Sequence, residues 1–155
     1  MSLAQDILDR ARAAGVMIAT AESCTGGMIA AALTDIPGSS AVFDRGFVTY
    51  TNGAKREMLG VRADTLKVHG AVSEEVAREM ATGALKHAKV ALAVSVTGIA
   101  GPGGSEHKPE GRVCFGLAKP DHTFTETIEF GAQGRDKVRA ATRDHALRLL
   151  LDALR

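Results

Sequence analysis

Apolar and polar positions alternate in segments that switch between helical and strand periods, and the switches mark out the elements. Residues 3–14 place Ile7, Leu8, Ala11 and Ala14 on one helical face, with Ser2 ahead as N-cap and Gly15 placed to end the helix. Val16-Met17-Ile18-Ala19 follows as a first strand. Thr20-Ala21-Glu22-Ser23-Cys24-Thr25-Gly26-Gly27 then turns the chain into a small-residue helix that runs to about Thr34 and gives way to Pro37-Gly38-Ser39-Ser40. Phe43 to Thr51 reads as a second strand broken by Asn52-Gly53, with a short helix from Lys55 to Leu59. Ser73-Glu74-Glu75 opens a longer helix, acidic in its first turn, with Val76, Met80, Ala84 and Leu85 inward. Val90 to Val96 is a continuous apolar run suited to a buried central strand. Beyond a glycine- and proline-rich loop from Gly98 to Gly111, Val113–Ala118 and the alternating Thr123–Phe130 predict two strands, antiparallel across Lys119-Pro120-Asp121-His122. Gly134 to Leu154 closes the chain as an amphipathic helix. Such alternation predicts an α/β fold, a three-layer sandwich with helices on both faces of a mixed sheet, with residues 1–155 forming a single domain.

Composition narrows the function classes. The 155 residues are 45% hydrophobic, enough for one substantial core. Nineteen basic residues against eighteen acidic ones, and only 4% aromatic residues, leave neither the basic footprint nor the stacking platform of a nucleic-acid binder. A small-molecule partner is expected. No apolar run approaches the ~20 residues of a membrane span, and no leader pattern opens the chain, so we expect no membrane association and a cytoplasmic location. Cys24 and Cys114 are too few for a disulfide framework, and the five histidines are scattered without metal-ligand spacing. We expect no metal, no cofactor, and assembly as a homo-oligomer.

Three segments fall where strands should end and share a hydroxyl-rich character: the Ser23 turn, Thr49-Tyr50-Thr51-Asn52-Gly53-Ala54-Lys55, and Ser95-Val96-Thr97-Gly98-Ile99-Ala100-Gly101-Pro102-Gly103-Gly104. A hydroxyl nucleophile at Ser23 needs a base; a desolvated Lys55 can serve, with Tyr50 relaying the proton. The residues alone leave the blander readings open: Ser23 or Thr25 as a helix cap, Lys55 as a solvated ammonium, Tyr50 as a half-buried strand residue. The Tyr50-to-Lys55 spacing is not the one-turn helical spacing of short-chain dehydrogenases. The loop after Thr97 can offer main-chain amides to an oxyanion or a phosphate, and Thr97 a hydroxyl. It carries neither the Walker nor the dinucleotide glycine fingerprint, so ATP and dinucleotides are disfavoured. Gly134-Arg135-Asp136-Lys137-Val138-Arg139 offers a helix N-terminus and guanidinium groups to a phosphate, while Arg135, Lys137, Arg139 and Arg143 read equally well as a solvated helix face.

Four of these stretches together, Ala21–Gly27, Val48–Lys55, Gly70–Ala77 and Ser95–Gly104, resemble the C-terminal domain family of the competence-damage-inducible protein CinA, and the resemblance covers essentially the whole chain. It implies hydrolysis of the carboxamide of nicotinamide mononucleotide to nicotinate mononucleotide and ammonia, a salvage step of pyridine nucleotide metabolism. In that reading Ser23 attacks the amide carbon, Lys55 with Tyr50 handles the proton, and Thr97 helps polarise or position the carboxamide. Thr25, Gly26, Gly27, Gly98 and Gly101 are the substrate-binding candidates, with amides either of the Thr25-Gly26-Gly27 turn or of the Gly98 loop receiving the oxyanion, and Arg135 and Arg139 are the phosphate candidates. The family often has Gly-Asp-Arg where this chain has Gly134-Arg135-Asp136, so no particular arginine carries over. Cys24 would be a neighbour and not the nucleophile. Two further readings remain open, a catalytically silent nucleotide-binding or regulatory module and an amidohydrolase of another small carboxamide; retention of Ser23, Tyr50, Lys55 and Thr97 together argues against the first.

Overall fold

The computed structural model describes residues 2–155. Ser2 Oγ accepts from Gln5 N at 3.2 Å to open helix α1 (Leu3–Ala14), and Gly15, at φ +67°, closes it. The closing turn also draws Val16 N onto Ala11 O, so strand β1 starts at Ile18 rather than Val16 and runs to Glu22. Thr20 and Glu22, read from the sequence as turn residues, are therefore strand residues. They are buried there because β1 is paired on both sides. Helix α2 (Met28–Thr34) leads through a single 3-10 turn (Ser39–Ala41) to strand β2 (Phe43–Val48).

Two further expectations are corrected in the next segment. Asn52-Gly53 does not break the chain: Thr51 Oγ1 accepts from Ala54 N at 3.1 Å and caps helix α3 (Asn52–Leu59), whose first turn contains that pair. A helix missing from the sequence reading, α4 (Ala63–His69), follows; none of its side chains is buried and Val68 is 73% exposed, so it left no amphipathic signal. Helix α5 (Glu74–Ala88) is capped by Ser73, whose Oγ accepts from Val76 N. Strands β3 (Leu92–Gly98), β4 (Arg112–Lys119) and β5 (His122–Glu129) and helix α6 (Arg135–Ala153) complete the chain.

The sheet order is β2-β1-β3-β4-β5, with β1 parallel to both β2 and β3 and the last two pairings antiparallel. Helices α1, α2 and α6 pack one face around Ile7, Ile18, Ile29, Val94, Phe115 and Leu150. Helix α5, with α3 and α4 against it, covers the other through Ala19, Ala21, Val76, Met80 and Ala84. This is the expected three-layer α/β sandwich. The chain leaves β1 toward β2 and then crosses back past β1 to β3, so β1 is the point where the winding reverses. Ligand crevices form outside the carboxyl ends of strands at such a point.

Candidate active site

Ser23 lies one residue beyond β1, held from both sides by the continuing ladder: Thr49 N donates to Glu22 O at 2.9 Å, and Ser23 N donates to Val96 O at 3.1 Å. The turn that follows is fixed from within by Glu22, 1% exposed. Its carboxylate accepts from Thr25 Oγ1 at 2.6 Å and from the Ile29 and Ala30 amides at 2.9 Å each. The start of α2 thus already holds an anion, supplied by the protein itself. Gly26 and Gly27 sit at φ +59° and +110°, a left-handed pair that a side chain would strain.

From β2, Thr49 and Tyr50 lead into α3, where Lys55 and Leu59 share the inward face one turn apart. The end of α3 rests directly on α5, where a Cβ at Gly83 would stand 2.0 Å from Leu59 O. Lys55 is 2% exposed, and its Nζ lies 3.1 Å from Ser23 Oγ, 3.1 Å from Thr49 O and 3.4 Å from Tyr50 O. Burial, the largest cause, lowers its pKa from the ordinary 10.5; Cys24 and the Glu106 carboxylate act the other way. These neighbours suit a neutral amine: the two carbonyls can only accept, so they take its two N–H bonds and leave the lone pair to Ser23 Oγ–H. Cys24, also buried, has its thiol pushed up to about 12, chiefly by desolvation. A buried, protonated thiol is a poor nucleophile, and the hydroxyl beside the Lys55 amine is that of Ser23.

Tyr50 is hydrogen-bonded through its hydroxyl to neither Ser23 nor Lys55. Its side chain is 55% exposed, and its hydroxyl accepts from Arg135 Nη2 at 2.5 Å, while its contact with Lys55 is through the main-chain oxygen. Arg135 Nη1 also donates to Gly101 O at 2.7 Å, so this guanidinium joins the Tyr50 segment to the glycine loop across the mouth of the site. Thr97 Oγ1 donates to Ala71 O at 2.8 Å, leaving its lone pairs to accept from a ligand. The glycine loop is pinned by two residues the sequence reading passed over. Glu110 accepts from the Gly103 and Gly134 amides, and Lys108 Nζ donates to His69 O and Val72 O.

Ser23, Tyr50, Lys55, Thr97, Gly98, Gly101 and Arg135 line one cavity of about 300 Å³. The remaining expected contacts lie off it. Thr25 is buried against Glu22, Gly26 and Gly27 shape the turn, and Arg139 donates to Cys24 O at 3.0 Å and Thr25 O at 3.2 Å. Arg139 thereby braces the turn after Ser23 from α6, one helical turn beyond Arg135. Glu22 had one sequence signal, its place immediately before Ser23; the Arg139 contact spans more than a hundred residues and had none. Among the described residues no helix is long and apolar enough to cross a membrane, and no three His, Cys, Asp or Glu side chains are grouped to hold a metal ion.

Comparison with known proteins places this geometry among relatives. The family model described as the CinA C-terminal domain matches residues 1–154. The chain is 51% identical over 151 residues to the nicotinamide-nucleotide amidohydrolase PncC of Escherichia coli strain K12, covering 97% of this chain and 92% of that protein. It is 54% identical over 148 residues to a CinA-like protein of Chlorobium phaeobacteroides, covering 91% of this chain but only 35% of that longer protein. The crystal structure of competence/damage inducible protein CihA from Agrobacterium tumefaciens superposes with a TM-score of 0.93 at 51% identity, over 98% of this chain and 93% of that one.

Proposed function

Since the chain belongs to the CinA C-terminal domain family, we propose that it is a nicotinamide-nucleotide amidohydrolase, converting nicotinamide mononucleotide to nicotinate mononucleotide and ammonia in pyridine nucleotide salvage. The observation that carries the mechanism is the buried Lys55 amine 3.1 Å from Ser23 Oγ. Ser23 Oγ attacks the carboxamide carbon as its proton passes to Lys55 Nζ. The oxyanion is received by amides lining the cavity, those of Cys24 and of the Ala100–Gly101 segment; the α2 amides of Ile29 and Ala30 are already bonded to Glu22. Thr97 Oγ1, its own proton committed to Ala71 O, accepts from the carboxamide NH₂, a contact a carboxylate product cannot make. The C–N bond then breaks with Lys55 returning the proton to ammonia. A water attacks the acyl-enzyme with Lys55 as base again, and Ser23 is restored.

In this reading the whole chain is one amidohydrolase domain, Tyr50 and Arg135 close the mouth around the substrate, and Arg135 is the candidate phosphate contact. The protein works in the cytoplasm as a homo-oligomer; two unpaired, buried thiols suit a reducing compartment. The test is ammonia release from nicotinamide mononucleotide compared with nicotinamide and nicotinamide riboside, with and without excess EDTA. Release fastest from the mononucleotide and indifferent to EDTA is expected. Absence of release from the mononucleotide overturns the assignment, and preference for another carboxamide redirects it.

A further inference from the structure

The cavity carries a charge that the hydrolytic steps do not use. Glu106 lines it, and no hydrogen-bond or ion-pair partner engages its carboxylate among the described residues. The residue is exposed, and what is held is its main chain. Ser105 and Lys108 exchange main-chain hydrogen bonds at 3.0 and 2.8 Å, leaving Glu106 and His107 as the two central residues of a tight turn at φ +50° and +63°. Side chains rarely adopt that conformation, and glycine or asparagine is the usual occupant. Lys108 then ties the turn to the main chain at His69 and Val72, and the Glu106 carboxylate packs over Gly70 beside the Lys108 ammonium, where an added Cβ would meet Glu106 Oε2 at 2.8 Å and Lys108 Nζ at 2.9 Å. Glu106 is thereby placed beside Gly70, on the side of the cavity lined by Ala71 and Val72. Its charge is also felt at Lys55 Nζ, beside the nucleophile.

The cavity's charges are therefore opposed. Arg135 stands at the mouth between Tyr50 and Gly101, Glu106 stands toward Ala71, and burial favours the neutral form of Lys55 between them. A ligand matching this arrangement has an anionic end and a cationic centre close to its carboxamide. We infer that Glu106 is a specificity-determining residue that selects a positively charged pyridinium ring bearing the carboxamide, against uncharged rings of the same shape. The inference rests on the proposed hydrolysis of nicotinamide mononucleotide and deepens it, because the N-glycosidic bond is what gives that ring its charge. Free nicotinamide and a dihydropyridine ring carry the same amide without the charge. A carboxylate without a hydrogen-bonded ion pair at the rim of the cavity attracts a cation bound there, weakened by solvent and by the Lys108 ammonium nearby, whereas toward a neutral ring it offers only an ordinary polar surface.

Binding separates the charge from the chemistry. In the non-hydrolysing Ser23→Ala background, affinities for nicotinamide mononucleotide and for its reduced, uncharged-ring form are measured by calorimetry with and without Glu106→Gln. Glu106→Gln is expected to weaken the oxidised mononucleotide about tenfold while leaving the reduced one within about twofold. The reduced form doubles as a check that the variant is folded. Equal loss on both, no loss on either, or tighter binding of the oxidised form, as repulsion of the phosphate would predict, overturns the inference. Failure of the functional reading itself looks different, since the unmodified protein then releases no ammonia from the mononucleotide.

Discussion

Replacing Lys55 by methionine keeps the length of the side chain and removes the base. A general base in hydrogen-bond reach of its proton contributes about 10²–10⁴-fold, or about 3–5 kcal/mol of barrier, so kcat should fall by that much. Stability should behave differently. The substitution leaves the Thr49 and Tyr50 carbonyls without their donor, at about 1–3 kcal/mol for a buried acceptor, but also removes an amine whose burial is unfavourable in its charged form. The sign follows from the direction of the shift. The folded-state pKa of Lys55 lies below 10.5, so between the two values the unfolded chain binds the extra proton, and stability rises with pH. Each unit of depression corresponds to about 1.4 kcal/mol that protonation of Lys55 takes from the folded state at lower pH. Lys55→Met should flatten this slope and cost little stability near neutral pH, measured by urea unfolding across pH. In the same variant the rising limb of kcat/KM with pH disappears. Lys55→Arg should not rescue activity, because a guanidinium keeps its proton in the working range. Near-normal kcat in a folded Lys55→Arg variant would refute the base assignment.

Three further outcomes follow from the same geometry. Ser23→Ala should lower kcat by about 10³–10⁶-fold, whereas Cys24→Ala keeps most activity and iodoacetamide at pH 8 leaves the unmodified enzyme working, because that thiol titrates near 12. Glu22→Gln keeps the size of the side chain but disturbs the bonds to Thr25, Ile29 and Ala30, so about 1–3 kcal/mol is expected to be lost, read as a Tm fall of several degrees alongside a reduced kcat. Arg139→Met should reduce kcat on nicotinamide mononucleotide and nicotinamide riboside by the same factor, since Arg139 holds the Cys24 and Thr25 carbonyls; a KM increase confined to the phosphorylated substrate would instead make it a phosphate ligand.

Local pattern alone determined the α/β class, both ends of α1, the start of α5, and the placing of Ser23, Lys55 and Thr97 near strand ends. Caps, periods and glycine positions act over a few residues, so they are written into consecutive letters. Pattern also failed where its signal was weak: α4 buries no side chain, and Asn52-Gly53 looks like a break until Thr51 is seen to cap the helix that contains it. Tertiary structure decided which strand ends meet. The reversal of winding at β1 sets the loops after β2 and β3 on either side of Ser23 and puts the amine of residue 55 against the hydroxyl of residue 23. It also decided the state of the groups, because Lys55 is an ordinary surface lysine by composition and a desolvated amine only once α3 is laid against α5. Burial and long-range contact belong to the packed layers, which is why the Tyr50 hydroxyl is found at the mouth with Arg135, and why Arg139 is found on the carbonyls of the turn after Ser23.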